Sequence, residues 1–200
     1  MQKNYIFGGK SMPSSMLHLL VAKKINPNAS IDFYVGNIAP DAHKDQNIKT
    51  KTHLRDVYDR ESALKELAQK AKNEYLKGML LHLYTDWKWE QTLLSDFAKK
   101  EGENWYEKYN EENSKMVAYA FHNTDWAYCL WEQMALCDGN NFIETEFISK
   151  DDVKLLIQRQ RNWLMDNKLA SSSACPPALI EKFADNVADD FDKWFSNVSH

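Results

Sequence analysis

The chain has 200 residues, of which 44% are hydrophobic and 12% aromatic, and its formal net charge is −4. This length suits one compact domain, and the slightly acidic balance argues against binding of duplex nucleic acid. No stretch approaches the roughly 18 apolar residues that a membrane span requires. The first 15 residues contain no apolar run of signal-peptide length, so we expect a cytoplasmic protein without a leader.

The cysteines are Cys129, Cys137 and Cys175, an odd number without the spacing of a metal-binding motif. A disulfide framework is therefore not expected. Cys129 and Cys137 fall in an apolar helical segment and are predicted to be small buried side chains.

Helical periodicity dominates the chain, because glycine and proline are scarce and clustered. This pattern predicts an all-α protein, and we treat 1–200 as a single domain. The predicted helices cover about 14–25, 62–99, 111–137, 149–168 and 177 to near the C-terminal end. Ser14 or Ser15 is the expected N-cap of the first helix. The letters "EGEN" and "DGNN" mark the ends of the second and third.

Three stretches fall outside these predicted helices. The segment "IDFYVGNIAPDAHKD" is predicted to form short turns, with Pro40 fixing the backbone just before Asp41. The overlapping segment "HKDQNIKTKTHL" is typical of a polar, lysine-rich loop. The segment "FIETEF" alternates weakly between apolar and polar residues, which is compatible with a short strand.

Two polar side chains, His82 and Asp86, interrupt the apolar and aromatic run "KGMLLHLYTDWKWE". Positions i and i+4 share one face of a helix, so these two side chains can chelate one metal ion. Gly78 lies one turn earlier on that face and leaves room for a neighbour to approach closely. A hydrogen bond between the two side chains explains the same spacing without a metal, and both interpretations remain open at this point.

Three further polar residues extend this pattern. His18 shares the apolar face of the first predicted helix, Asp41 follows an apolar turn, and His53 follows "KTKT". Each has an ordinary explanation, as a core histidine, a turn cap or an exposed loop residue. If the segments meet in space, they form a mixed imidazole and carboxylate set: His18, Asp41, His53, His82 and Asp86. Such a set suits zinc, with iron or manganese as competitors, and a bridging carboxylate allows one or two ions.

The order of the motifs "MPSSMLHLLVA", "FYVGNIAPDA", "KTHL" and "GMLLHLYTDWKW" resembles the zinc-dependent phospholipase C family. Secreted phospholipases C and fungal single-strand nucleases look like distant relatives of that family with the same helical fold. The motifs lie within 12–89, less than half of the chain. The resemblance implies the helical bundle of that family, with 100–200 completing it. It also implies a hydrolase that uses a metal-bound hydroxide on a small phosphoric ester.

The resemblance further implies a role for each candidate ligand. One zinc would be held by Asp41, His53, His82 and Asp86. Asp86 would bridge to a second zinc that His18 also holds. Asp41 would in addition orient the attacking water, which makes it a candidate catalytic residue.

The sequence departs from the secreted enzymes of that family in two respects. Their mature N-terminal residue is a metal ligand, whereas eleven residues precede Met12 here. Their third zinc needs an HxxxE motif, and none of the remaining histidines, His43, His122 and His200, has Glu four residues later. We therefore expect no complete three-zinc site.

His122 is the remaining candidate catalytic residue, because Asp125 follows one turn later and can orient it. It would serve as a replacement ligand, a contact to the substrate phosphate or the proton donor to the leaving group. The alternative is a core or interface histidine bonded to Asp125. His43 is a weaker candidate for the site. The lysines at 44, 49 and 51 either steer a phosphate or form a solvated loop.

Two other functions compete with a zinc-dependent hydrolase. A protein without turnover would use one closed, structural metal site to hold the four segments together. An HD-type phosphohydrolase is also all-α with His and Asp ligands. It requires an adjacent His-Asp pair, whereas His53 and His82 are each followed by leucine.

Overall fold

The computed structural model describes residues 14–198, and this part of the chain is all-helical, as the sequence predicts. Its α-helices are α1 (Ser15–Ile25), α2 (Ile31–Gly36), α3 (Gln46–Thr52), α4 (Arg60–Lys70), α5 (Glu74–Trp89), α6 (Ser95–Glu101), α7 (Trp105–His122), α8 (Ala127–Leu136), α9 (Lys150–Asp166) and α10 (Pro177–Val198). A π-helical turn covers Glu90–Leu94, and 3-10 turns cover Ala39–Asp41 and Gly102–Asn104. The stretch up to Pro13, where we expect no leader, and His200 lie outside the described residues.

Helices α1 and α5 are surrounded by other helices. Helix α1 packs against α5, α7 and α10, and α5 packs against α1, α2, α4 and α10. The apolar stripe predicted for the last helix faces this core, since Ile180, Phe183, Val187 and Phe191 on α10 are buried. Polar side chains on the inner faces of α1 and α5 are therefore removed from water and need partners.

Helices α2 and α5 approach so closely that only glycine fits at the contact. A Cβ atom on Gly78 would lie 2.1 Å from the carbonyl oxygen of Phe33 and 2.7 Å from the amide nitrogen of Asn37. A Cβ atom on Gly36 would lie 2.0 Å from the carbonyl oxygen of Tyr75. The room for a neighbour that the sequence predicts at Gly78 is thus taken by the backbone of α2.

The segments predicted as turns and as a polar loop contain two short helices instead. The hydroxyl of Ser30 accepts a hydrogen bond from the amide of Phe33 and starts α2. The carboxylate of Asp45 accepts hydrogen bonds from the amides of Asn47 and Ile48 and starts α3. These N-caps satisfy amide groups that a short helix leaves unpaired, which explains why the helices form despite weak periodicity.

The two longest predicted helices are each divided. The first becomes α4, α5 and α6. The side chain of Asn73 caps α5 at the amide of Leu76, and the π-helical turn Glu90–Leu94 joins α5 to α6. The second becomes α7 and α8, separated by residues 123–126. The predicted helix that begins near Ser149 is confirmed as α9, with a reciprocal capping box between Ser149 and Asp152.

Two smaller predictions are wrong. Residues 142–147 form no strand, and no strand occurs anywhere between residues 14 and 198. Cys129 is exposed rather than buried, and Cys137 is half-buried, because α8 turns the side of its surface that carries Cys129 toward solvent. Of the helices in the described range, none is long and apolar enough to cross a membrane.

Candidate metal centre

Four separate segments bring the five predicted ligands to one place in the core. His18 comes from the middle of α1, Asp41 from the end of a 3-10 turn, and His53 from the C-cap of α3. His82 and Asp86 lie one turn apart on α5. Two groups of potential ligand atoms result, each within 4.8 Å of one another: His18, His82 and Asp86, and Asp41, His53 and His82. The segments that carry the motifs therefore do meet in space.

The carboxylate of Asp86 belongs to the first group, and its two oxygens face different histidines. Its Oδ1 is 3.2 Å from Nε2 of His18. Its Oδ2 is 3.6 Å from Nε2 of His53 and 3.7 Å from Nε2 of His82. Neither oxygen accepts a hydrogen bond of normal geometry from residues 14–198. A buried carboxylate whose two oxygens both lack a hydrogen-bond donor is the arrangement expected of a ligand shared by two cations.

The backbone fixes which nitrogen of two histidine rings carries the proton. The Nδ1 atom of His82 donates to the carbonyl oxygen of Asn37 at 2.8 Å, and Nδ1 of His53 donates to the carbonyl oxygen of Lys49 at 2.8 Å. A carbonyl can only accept, so Nδ1 is the protonated atom in each ring. In the neutral rings both Nε2 lone pairs then point at each other across 3.2 Å. Two facing lone pairs repel unless a cation lies between them, and this orientation by outer carbonyls is typical of metal-bound histidines.

The protonation states of the buried groups also favour a cation. Burial lowers the pKa of His82 to about 3, and the neighbouring His18 ring acts in the same direction. Burial opposes ionisation of Asp86, but the adjacent imidazoles outweigh it and its pKa lies below the ordinary value. At neutral pH the core therefore contains a neutral imidazole ligand beside an ionised carboxylate, and both are in the form that binds metal.

Asp41 is the member of the set nearest to solvent. It is 7% exposed, whereas His18, His53, His82 and Asp86 are each 0% exposed. Its Oδ1 lies 3.5 Å from Nε2 of His53 and accepts a hydrogen bond from Nζ of Lys49 at 3.2 Å. Burial opposes ionisation of Asp41, but the ammonium of Lys49 holds its pKa well below the ordinary value. Asp41 is therefore an ionised ligand at the edge of the centre.

A partly buried ion-pair network that the sequence does not reveal borders the centre. The guanidinium of Arg55 donates two hydrogen bonds to Oε1 of Glu90, at 2.9 and 2.6 Å, and its Nη2 lies 4.0 Å from Oδ2 of Asp86. Arg60 donates to the other oxygen of Glu90 at 2.7 Å. Leu54, between His53 and Arg55, has a positive φ of 54°, which lets the chain turn Arg55 toward α5. The only signal in the sequence is that Glu90 follows Asp86 by one helical turn.

His122 lies apart from the five-residue set. It is exposed at the C-terminal end of α7, and its Nε2 atom lies 3.0 Å from the carbonyl oxygen of Leu164 and 3.1 Å from that of Asn167. These contacts tie α7 to the end of α9 and explain the residue without catalysis. His43 is also outside the set, with Nε2 at 3.6 Å from a carboxylate oxygen of Asp152. The predicted catalytic role of His122 thus gains no support from its position.

A surface cavity of about 420 Å³ reaches the centre at Asp41. Its wall includes the side of α9 that carries Arg159 and Trp163, together with Lys44 and Lys49 from the segment around α3. The lysine at position 51 lies instead near the ring of Phe147. Two of the three lysines considered for phosphate steering are therefore at the mouth of the cavity.

The residues present fit a divalent metal. The donor set is imidazole nitrogen and carboxylate oxygen, which zinc, iron and manganese accept. The atoms that face inward are imidazole nitrogens with free lone pairs and carboxylate oxygens, all of which can bind a cation. The backbone carbonyls of Lys49 and Asn37 hold the rings of His53 and His82 in the orientation that metal binding requires. His82 belongs to both groups of ligand atoms, so its single free nitrogen can serve only one ion at a time.

No family model matches the chain, and no curated protein or solved structure matches it significantly. The functional assignment therefore depends on the geometry of the centre and on the motifs that form it.

Proposed function

We propose that this protein is a metal-dependent hydrolase of phosphoric esters, with zinc as the expected metal. The observation that carries the proposal is the carboxylate of Asp86, which directs one oxygen at His18 and the other at His53 and His82. Two metal ions held by these side chains, with Asp86 as a ligand common to both, would supply the chemistry that many phosphoryl-transfer sites use.

Different residues of the site have different roles in the proposed reaction. Asp86 and His82 lie at the buried end of the site, and their complete burial excludes water from that end. Asp41 is the candidate to orient an attacking water, because it alone among the five lines the open cavity. Lys49, bonded to Asp41, places a positive charge where a phosphate enters. A divalent metal bound here would supply Lewis acidity toward the phosphoryl oxygens and a water activated near neutral pH.

The proposal extends to the type of fold and to location. Helices α1 and α5 carry the motif histidines at the centre of a helical bundle, which supports the phospholipase C and single-strand nuclease type of architecture. A cytoplasmic location and a small phosphoric ester as substrate belong to the same proposal. Protonation of the leaving group falls to solvent in the cavity, since His122 lies elsewhere.

The complete burial of four ligands favours a second candidate, a structural metal site. A structural site has every coordination position filled by protein, whereas a catalytic site keeps one position open. The cavity at Asp41 argues for the open form. An HD-type phosphohydrolase remains the weaker alternative, since no His-Asp pair is adjacent in the sequence.

Turnover of bis(p-nitrophenyl) phosphate by the zinc-loaded protein tests the hydrolase directly. We expect zinc-dependent release of nitrophenol that His82→Ala reduces at least about 100-fold, because the variant removes a ligand common to both groups. The matched control is His122→Ala, which removes an exposed histidine and should retain most of the activity.

Metal content per chain, measured by inductively coupled plasma mass spectrometry, separates the two candidates. Bound zinc together with turnover supports the hydrolase. Bound zinc without turnover on phosphodiesters or phosphomonoesters supports the structural site. Undiminished turnover in His82→Ala would rule out this centre as the source of the activity.

A further inference from the structure

The cavity beside the centre is the route by which a ligand reaches the buried set. Four of the five ligands are completely buried, and Asp41 is the one that lines the cavity. Any molecule that contacts the centre from this side also contacts the other walls. The chemistry of those walls therefore restricts the substrate.

The walls are positively charged, although the chain as a whole carries a net charge of −4. Lys44, Lys49 and Arg159 line the cavity, and Asp41 is its one acidic lining residue. Lys49 is paired with Asp41. Within residues 14–198, no acidic side chain forms an ion pair with Lys44 or Arg159. Two cations without a countercharge in one concave surface attract an anion.

The other walls add polar and aromatic contacts. Gln160 lines the same cavity, and its side-chain oxygen accepts no hydrogen bond from the described residues. Trp163 is 37% exposed and lines the same cavity. Gln160 follows Arg159 directly on α9, and Trp163 follows one turn later, so a single helix presents all three contacts.

We propose that the cavity binds a second anionic group, a phosphate or a carboxylate, on the same small molecule whose phosphoric ester reaches the metal centre. Arg159 and Lys44 hold this group. The inference rests on the proposed function and narrows its substrate to esters with two separate negative groups. The planar fork of a guanidinium matches either oxyanion, and a cationic head group is repelled by the same two side chains.

Isothermal titration calorimetry on the full zinc-loaded chain tests this with three probes. Propyl phosphate carries one anionic group, 1,3-propanediol bisphosphate carries two phosphates, and 3-(phosphonooxy)propanoate carries a phosphate and a carboxylate. We expect the bisphosphate to bind about 5- to 20-fold more tightly than propyl phosphate, because it gains charge-assisted hydrogen bonds. The third probe shows whether a carboxylate is accepted equally well.

Variants of the cavity residues test whether the tighter binding of the bisphosphate depends on the cavity. Arg159→Met should remove most of the difference in affinity between the bisphosphate and propyl phosphate. Lys44→Met, at an exposed position, should reduce the difference without a risk to folding. Lys154→Met is the matched control, because it removes one positive charge from an exposed position on α9 that does not line the cavity.

The outcomes separate this inference from the proposed function. Equal affinity for all probes, with binding still dependent on zinc, overturns the second anionic site and leaves the hydrolase standing. A preference for the bisphosphate that needs Arg159 but not zinc supports the cavity and contradicts the hydrolase. Loss of the preference in Lys154→Met to the same degree, or no binding of any probe, overturns the inference.

Discussion

At the scale of the residue, the centre depends most on Asp86. Its two carboxylate oxygens contact three histidines, and it is completely buried without a conventional hydrogen bond from the described residues. An ionised carboxylate in that state is unfavourable unless a cation compensates it. In the free protein the adjacent histidines and Arg55 compensate the charge of Asp86, and a bound cation would compensate it more fully.

Replacement of Asp86 by its neutral amide should show how much this carboxylate contributes to zinc binding. We expect Asp86→Asn to weaken zinc binding by about 100-fold or more, because the amide lacks the charge and one of the two acceptor oxygens. Titration calorimetry with zinc measures the effect. Asp125→Asn, an exposed position near His122, is the control and should bind zinc as the unmodified chain does. Equal weakening in both variants would contradict a specific role.

A second buried carboxylate, Glu112 on α7, holds a loop instead of a metal. It accepts hydrogen bonds from the hydroxyl of Ser172 at 2.7 Å and the amide of Ala174 at 3.0 Å, and Lys115 donates to its other oxygen at 2.8 Å. Burial opposes the charged form, but Lys115 and the donors from the loop lower the pKa of Glu112 to about 2, from an ordinary value of 4.5. The folded state therefore prefers the ionised form.

The lowered pKa predicts how stability depends on pH. A carboxyl group with a depressed pKa in the folded state contributes its full stability above pH 4.5, and the contribution is lost as the pH falls toward about 2. We expect Glu112→Gln to reduce the free energy of unfolding at pH 7 by about 1–3 kcal/mol. The difference from the unmodified chain should shrink between pH 4.5 and 3, as measured by urea unfolding.

The neighbouring Glu111 provides the control for this prediction. It also pairs with Lys115, at 2.7 Å, but its side chain is 66% exposed. Glu111→Gln should change the free energy of unfolding by no more than about 0.5 kcal/mol at either pH. If both variants behave alike, the hydrogen bonds to the loop do not carry the effect.

At the scale of the element, the contact between α2 and α5 sets the position of the centre. The carbonyl of Asn37, at the end of α2, orients the ring of His82 on α5. The close approach at Gly78 holds these two groups together. Packing and metal binding are thus linked through one helix pair.

A single methyl group at that contact should disturb both properties. Helix propensity alone makes alanine about 1 kcal/mol more favourable than glycine inside a helix. We nevertheless expect Gly78→Ala to destabilise the fold by about 1–3 kcal/mol, because the new Cβ overlaps the backbone of α2. Displacement of Asn37 should also weaken zinc binding by about tenfold.

Urea unfolding and zinc titration measure these two effects. Lys77→Ala, at the preceding position of α5, is the control and should change the free energy of unfolding by less than about 0.5 kcal/mol. An increase in stability for Gly78→Ala would show that α2 can move away without cost.

Sequence reasoning finds the long elements and most of the centre for one physical reason. Polar residues on the inward face of an apolar helix, such as His18 and His82, are costly enough to stand out from the pattern. Helices α2 and α3 escape prediction because local caps start them without clear periodicity. The ion pair between Arg55 and Glu90 is not predicted, because the two residues are 35 positions apart in the chain. Their contact depends on tertiary packing that no local pattern encodes.

At the scale of the whole molecule, the centre joins parts of the chain that are distant in sequence. A bound metal would connect α1, the turn before α3, α3 itself and α5. Several of these segments pack against the remaining helices, so the ligands are bound to the rest of the core. Because the unfolded chain cannot assemble this set, metal binding adds to the free energy of unfolding.

The linkage gives a magnitude for the effect of zinc on thermal unfolding. Free zinc at 100 times its dissociation constant adds about 2.7 kcal/mol to the stability. For a chain of this size, each kcal/mol raises the unfolding temperature by about 2–4 °C, so we expect a rise of about 5–10 °C over the chelator-treated protein. Circular dichroism at increasing temperature measures it.

The same measurement on Asp86→Asn shows whether the stabilisation comes from this centre. The variant should gain no more than about 1–2 °C from zinc at the same concentration, because its site binds zinc about 100-fold more weakly. Its chelator-treated form should be less stable than that of the unmodified chain, because the lowered pKa of Asp86 means that the fold favours the ionised carboxylate, which has Arg55 4.0 Å away. An equal rise with zinc in both proteins would place the ion elsewhere. A variant that is more stable in chelator would mean that the cost of burying the Asp86 charge outweighs its contacts with the histidines and Arg55.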